Sequence, residues 1–138
     1  MLALLALRLG AASAVGTDVD ALAVRAAARN AELNGVADRF TSLLCDASID
    51  GPEPVAAATG RPAAGAFGLV LANILRGPLV ELAPRLAAYV RPGGRIVLSG
   101  ILLEQAPEVT AAYEALGFGA FETRADSGWC LVTALRQR

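Results

Sequence analysis

Asn73 ends the apolar run Leu69-Val70-Leu71-Ala72 and is followed by Ile74-Leu75, with Gly68 before the run and Gly77-Pro78 after it. An amide accepts a hydrogen bond through its oxygen and donates through its NH2, so at a strand tip it can hold an amine nucleophile. Asn is equally a common helix N-cap, and spacing alone leaves both readings of Asn73 open. Carboxylates follow two other short stretches: Asp18 and Asp20 after Val15-Gly16-Thr17, and Asp46 after Cys45. Asp20 suits a helix cap, Asp18 a favourable charge at that helix's N-terminus, and Asp46 a solvated turn. Cys45 and Cys130 have no Cys or His nearby, and the chain contains no His, which excludes zinc-type clusters and His-dependent nucleophilic triads. Both cysteines lie in apolar runs and read as buried free thiols.

The elements that must position these residues alternate in type. Met1 to Leu9 is rich in helix formers and stops at Gly10; Ser13 to Thr17 reads as a strand. Asp20 to Asn34-Gly35 reads as a helix with an apolar stripe of Leu22, Ala23, Ala26, Ala27 and Leu33. Phe40 to Cys45 is a further strand, and Ile49 to Ala66, punctuated by Gly and Pro, reads as a surface loop. Leu69 to Ala72 is short and continuously apolar, the pattern of a strand buried on both faces of a parallel sheet. The spacing then predicts a helix over Pro78 to Tyr89, a turn at Arg91-Pro92-Gly93-Gly94, a strand from Arg95 to Ser99 ending at Gly100, and a helix from Glu104 to Leu116. Phe118 to Arg124 and Trp129 to Leu135, around Asp126-Ser127-Gly128, form an antiparallel hairpin. Trp129 is expected as an edge-strand core aromatic, with a place lining a substrate entrance as the other reading, and Glu104, Glu108 and Glu114 on a solvated face. The sum is an α/β three-layer sandwich, a mostly parallel sheet with one antiparallel strand near its edge. Ligands of such sheets bind at the carboxyl ends of the strands, where Asn73 would stand.

A chain of 138 residues with 55% hydrophobic content is the size of one domain with a substantial core. Its net charge of -1 gives no general attraction to nucleic acid. All 12 basic residues are Arg, a bias affecting every position and carrying little site information. No positive segment precedes the leucine-rich start, and Arg8 follows it, unlike a signal peptide; no apolar run is long enough to span a bilayer, and the chain is read as soluble and cytoplasmic.

Taken together, Val15-Gly16-Thr17-Asp18-Val19-Asp20, Asn30-Ala31-Glu32-Leu33-Asn34-Gly35, Leu71-Ala72-Asn73-Ile74-Leu75 with Gly77-Pro78-Leu79, Pro92-Gly93-Gly94-Arg95, Leu98-Ser99-Gly100-Ile101-Leu102 and Gly128-Trp129 resemble the class I S-adenosylmethionine-dependent methyltransferases, and within them the PrmA group. The resemblance covers essentially the whole chain. Its most specific pieces are the Ala-Asn-Ile-Leu tip and the Leu-Ser-Gly-Ile-Leu strand end. It implies a Rossmann-like fold, S-adenosylmethionine as cofactor, and methylation of lysine or N-terminal amines of a protein of the large ribosomal subunit. In the family the helix matching Met1-Leu2-Ala3-Leu4-Leu5-Ala6 follows a central strand and a glycine-rich Asp-x-Gly-x-Gly turn. The resemblance therefore implies a catalytic domain lacking its first strand, a fragment or else a chain whose first strand comes from elsewhere, with open edges on the strands at Ser13 and Leu69.

The resemblance also assigns roles. Asp18 accepts both ribose hydroxyls of the cofactor, Asp46 either receives the adenine amino group or remains a solvated turn aspartate, and Asn73 is counted with them among the cofactor-binding residues. Asn73, through its side-chain oxygen, and Ile74, through its backbone carbonyl, hold the amine's hydrogens and aim its lone pair, a task of positioning that requires no strong base. Ile74 and Leu75 wall the methyl group or pack the core; Ser99 and Gly100 shape the acceptor pocket; Asp18 and Asn73 are expected along one rim. Two other functions fit the residues: lysine methylation of another protein, such as the electron-transfer flavoprotein beta subunit, and a non-catalytic α/β domain without cofactor affinity.

Overall fold

The structure, a computed structural model, describes residues 1–46, 50, 52–60 and 62–137. The chain divides into two compact units, Met1–Arg61 and Pro62–Arg138.

In the first unit, helix α1 (Leu2–Arg8) precedes strand β1 (Ala14–Asp18), helix α2 (Ala21–Leu33), strand β2 (Phe40–Leu44) and helix α3 (Glu53–Thr59). Strands β1 and β2 run parallel, in register from Ala14 opposite Phe40 to Asp18 opposite Leu44. Helix α2 begins where the sequence says it should: the Asp20 carboxylate accepts the Leu22 N–H at 2.8 Å, satisfying one donor that the first turn leaves unpaired. Its buried face differs from the predicted stripe. Leu22 and Leu33 are exposed, while Ala31 is buried and Ala27 and Ala23, one and two turns before it, are half-buried. The i, i+4 row of alanines lets α2 lie close, and the leucines occupy a different row. Leu4, Leu7, Ala31 and Val36 form this unit's core, with Ala11, Ala14 and Phe40 against it.

The predicted loop from Ile49 to Ala66 contains helix α3. Ile49, Gly51 and Arg61 lie outside the described residues; of the others, Pro52 and Pro54 fall at the entrance of the helix, where a missing N–H costs nothing, Val55 to Thr59 continue it, and Gly60 ends it at φ 66°. The prolines that argued for a loop are a helix start.

In the second unit, β3 (Phe67–Asn73), α4 (Arg76–Glu81), α5 (Ala83–Tyr89), β4 (Val90–Leu102), α6 (Ala106–Glu114), β5 (Phe118–Asp126) and β6 (Trp129–Arg136) build a four-stranded sheet of order β3-β4-β6-β5. Strand β3 is parallel to β4; β6 runs antiparallel to both β4 and β5 and lies one strand from the edge. The β5–β6 turn is tight, with Ser127 and Gly128 both at positive φ, the two-residue geometry whose twist suits a hairpin. One face of the sheet, through Ile96 and Leu98 of β4 and Cys130, Val132 and Ala134 of β6, packs against Leu79, Ala83, Ala87, Val109 and Tyr113 of the helices.

Several boundaries depart from expectation. Leu69 is 44% exposed and only Ala72 of β3 is buried, because β3 is the edge strand of its sheet and not a strand covered on both faces. The predicted helix from Pro78 to Tyr89 is two helices broken at Leu82, since Pro84 has no N–H to continue the ladder. The Tyr113 hydroxyl donates to the Leu79 carbonyl beside that break, at 3.1 Å. The turn at Arg91-Pro92-Gly93-Gly94 is absorbed into β4 as a bulge, Phe67 pairing with Val90 and Leu69 with Arg95. Gly100 does not end β4: it is a second bulge, and pairing resumes at Ile101.

Candidate functional site

The candidate residues divide between the units, Asp18 and Asp46 in the first, Asn73 and Ile74 in the second. Each of the two strand-tip residues stands at a carboxyl end: Asp18 is the last residue of β1 and Asn73 the last of β3.

In the first unit the rim is built by backbone pairing. The Asp18 carbonyl accepts the Cys45 N–H at 3.0 Å, one step beyond β2, which brings Asp46 to the same end of the β1–β2 pair. The exposed Asp18 carboxylate accepts the Asp20 N–H on Oδ1 at 3.0 Å. That short turn fixes the direction of the carboxylate while Oδ2 and the remaining lone pair of Oδ1 keep accepting capacity. The Asp46 N–H donates to Asp50 Oδ2 at 2.9 Å and the Asp50 N–H returns a bond to the Asp46 carbonyl at 2.7 Å, which ties Asp46 to Asp50. Burial pushes the Cys45 thiol above its ordinary range, and the nearby Asp50 charge adds to it; the thiol is a protonated, packed group.

In the second unit Asn73 is exposed, and the helix after it is capped from Leu75 without a side-chain bond. Asn73 is therefore not the N-cap, which removes the competing explanation of an amide at this position. Ile74 carries the strand pairing one residue further, its N–H donating to the Ser99 carbonyl at 3.2 Å, while its side chain packs on the core. The acceptors named from the sequence are neighbours. Both lie against Gly100, where an added Cβ would stand 2.9 Å from Asn73 Oδ1 and 2.7 Å from the Ile74 carbonyl oxygen, so the two oxygens sit side by side on the glycine's Cα. Two neighbouring oxygens can take two hydrogens of a single amine.

What surrounds this place was only partly foreseen. Arg76, the first residue of α4, makes a two-oxygen ion pair with Glu108 of α6, at 2.7 and 2.8 Å, which ties down the helix that follows Asn73. Glu104, Glu108 and Glu114 are all exposed, as expected, but the pairing of Glu108 with a group 32 positions away leaves no trace in local sequence. Trp129 is 56% exposed and is not a core residue, because it opens β6 at the hairpin where the helices no longer cover the sheet. Leu75 and Leu103 are also exposed. Cys130 is buried and its thiol pushed up by that burial. A shallow groove between α6 and β5, lined by Leu103, Ala106, Pro107, Thr110 and Thr123, includes none of the candidate residues. Among the described residues no group of His, Cys, Asp and Glu is arranged for a metal ion, and no helix is long and apolar enough to cross a membrane.

Comparison with known proteins gives a consistent set. The family model described as "Ribosomal protein L11 methyltransferase (PrmA)" matches residues 1–137. The ribosomal protein L11 methyltransferase of Azotobacter vinelandii is 45% identical over 137 residues, 99% of this chain and 42% of the relative. That of Pseudomonas putida (strain GB-1) is 47% identical with the same coverage, so the chain spans about two fifths of the length of the curated relatives it matches. Among solved structures, a ribosomal protein L11 methylase from Lactobacillus delbrueckii subsp. bulgaricus superposes with a TM-score of 0.79 at 28% identity, covering 99% of this chain and 65% of that one. An RNA methyltransferase from Salinibacter ruber in complex with S-adenosyl-L-homocysteine superposes with a TM-score of 0.69 at 20% identity, covering 99% and 74%, and shares the α/β Rossmann-like fold.

Proposed function

The chain belongs to the ribosomal protein L11 methyltransferase (PrmA) family, and from that premise we propose that it serves S-adenosylmethionine-dependent N-methylation of lysine or N-terminal amines on a protein of the large ribosomal subunit. The observation that carries the reading is that Asn73 Oδ1 and the Ile74 carbonyl oxygen stand side by side at the end of β3, both against Gly100. An uncharged amine there gives one hydrogen to each oxygen, and its lone pair is left pointing away from both. Neither oxygen removes a proton; the amine loses its extra proton to water. The absence of His from the chain is consistent with such a site.

The first unit's residues suit the cofactor. Asp18 is held in direction by the Asp20 N–H, retains accepting capacity on both carboxylate oxygens, and faces solvent at a strand's carboxyl end, which fits an acceptor for the two ribose hydroxyls. Asp46, at the same end of the β1–β2 pair, takes the adenine amino group. Bound S-adenosylmethionine supplies an electrophilic methyl: the amine forms the new N–C bond as the C–S electron pair returns to sulfur. Ile74 contributes its carbonyl, and its side chain serves the core.

The relatives carry the ribosomal-protein name, and no observation favours the electron-transfer flavoprotein beta subunit as target. A ribosomal substrate places the reaction in the cytoplasm, and no membrane or direct nucleic-acid contact is needed for it. The test is transfer of an isotopically labelled methyl group from S-adenosylmethionine to purified large-subunit proteins by the full-length protein. Label on amines of one ribosomal protein is the expected result; label on nucleic acid or on no amine overturns the reading.

A further inference from the structure

We propose that Gly100 is a positioning residue for this reaction: its lack of a side chain lets Asn73 Oδ1 and the Ile74 carbonyl oxygen pack side by side on its Cα, which sets the spacing at which they hold the acceptor amine. The inference rests on the amine-methylation reading above and adds to it what sets the spacing of the two acceptors.

Three independent observations meet at Gly100. It is the extra residue of a bulge: Ser99 pairs with Leu131 and Ile101 with Cys130, leaving Gly100 between them. A bulge of this kind re-aims the strand and needs a residue at positive φ, and Gly100 has φ 87°. The peptide before it grips Ile74, the Ser99 carbonyl accepting the Ile74 N–H at 3.2 Å. Both acceptor oxygens press on it, since an added Cβ would stand 2.7 Å from the Ile74 oxygen, 2.9 Å from Asn73 Oδ1 and 3.1 Å from the Ile74 carbonyl carbon. Such approaches are closer than a real Cβ makes, and one of the crowding groups is backbone already fixed by its N–H bond. A methyl at position 100 therefore pushes the two oxygens apart, with Ser99 holding Ile74 from behind. Strain alone does not explain a glycine here, because Gly117 has nearly the same φ, 83°, yet a Cβ there meets nothing within 4 Å.

That contrast supplies the control. Gly100→Ala and Gly117→Ala carry the same left-handed backbone strain, and only the first crowds the acceptors. In the full-length protein, Gly100→Ala is expected to lower kcat by roughly 10²-fold, the order of loss that follows small misplacement of reacting groups. Its S-adenosylmethionine affinity, read by calorimetry, should stay that of the wild type. Gly117→Ala should lose a similar amount of thermal stability and keep its kcat. The inference is overturned if Gly100→Ala turns over like the wild type, or if both variants lose activity in proportion to the protein left folded. Should Gly100→Ala fail to fold, a crystal structure of the wild type with S-adenosylhomocysteine and a lysine-bearing substrate peptide decides the matter. An amine nitrogen within hydrogen-bond reach of both oxygens supports the inference; one bound elsewhere overturns it. A wild type that methylates no amine defeats the functional reading and this inference together, whereas an active wild type matched by an equally active Gly100→Ala defeats this inference alone.

Discussion

At the scale of single residues, the candidate site is a set of acceptors whose directions are fixed by neighbours. Asp18 owes its orientation to the Asp20 N–H, and Asp20 in turn is committed to the start of α2, so adjacent carboxylates have separate tasks. Replacing Asp18 by Ala should weaken S-adenosylmethionine binding by about 1.5–3 kcal/mol, the range for hydrogen bonds to a charged group, and calorimetric titration reads it directly. An unchanged affinity would return Asp18 to being a charge favourable to a helix N-terminus. Asp18, Asp20, Asn73 and Ile74 were legible in the sequence because they sit immediately after recognisable strands or before a recognisable helix. The choice between cap and site at Asn73 was not, since it turns on whether α4 starts two residues later, and boundary positions are the least determined by local propensity. Gly100 was visible as a strand terminator; that it is a bulge follows only from its pairing with β6.

At the scale of elements, corrections fall where tertiary partners decide. Ala23 and Ala27 of the predicted stripe do lie in the packed row of α2, together with Ala31, which the stripe omitted, while its two leucines, Leu22 and Leu33, face outward. Pro84 splits one predicted helix into α4 and α5, and the break is served by a residue from another element, Tyr113, whose hydroxyl meets the Leu79 carbonyl. Tyr113 is fully buried and stacks edge-on against Phe118 at 5.8 Å between centroids, so Tyr113→Phe keeps the packing and removes only the bond. That change is expected to cost about 1–3 kcal/mol in urea denaturation, because the carbonyl is left buried without its donor. A loss no larger than an exposed substitution would show that water or another donor serves Leu79. The Arg76–Glu108 pair, by contrast, is about half exposed, and such pairs contribute roughly 0–1 kcal/mol; its value lies in holding the start of α4.

At the scale of the molecule, the alternating pattern of apolar segments was enough to give an α/β fold with a largely parallel sheet and one antiparallel strand near the edge, and the motifs were enough to give the family. The open edge of β3 followed from the resemblance, but the exposed faces were not legible: Leu22, Leu33 and Leu69 face solvent, a property set by what lies opposite each residue and not by its own type. The buried titratable groups make a prediction for the whole chain. Burial raises Cys45 and Cys130 above the ordinary 9.0, and Tyr113 above the ordinary 10.0. The folded state keeps these groups protonated where the unfolded chain ionises, so their stabilisation is complete below the ordinary values and is lost as pH rises through them toward the folded ones. Thermal stability should therefore be flat up to about pH 8 and fall from about pH 9 upward, a course that melting curves across alkaline buffers will follow or contradict.

The central claim is that Asn73 holds the acceptor amine. Single-turnover methyl transfer by Asn73→Ala at saturating S-adenosylmethionine tests it most directly, because saturation removes any part the same residue has in holding the cofactor. The account predicts a rate lower by roughly 10²-fold under that condition; a rate equal to the wild type's, or a loss traced wholly to weaker cofactor binding, would contradict it.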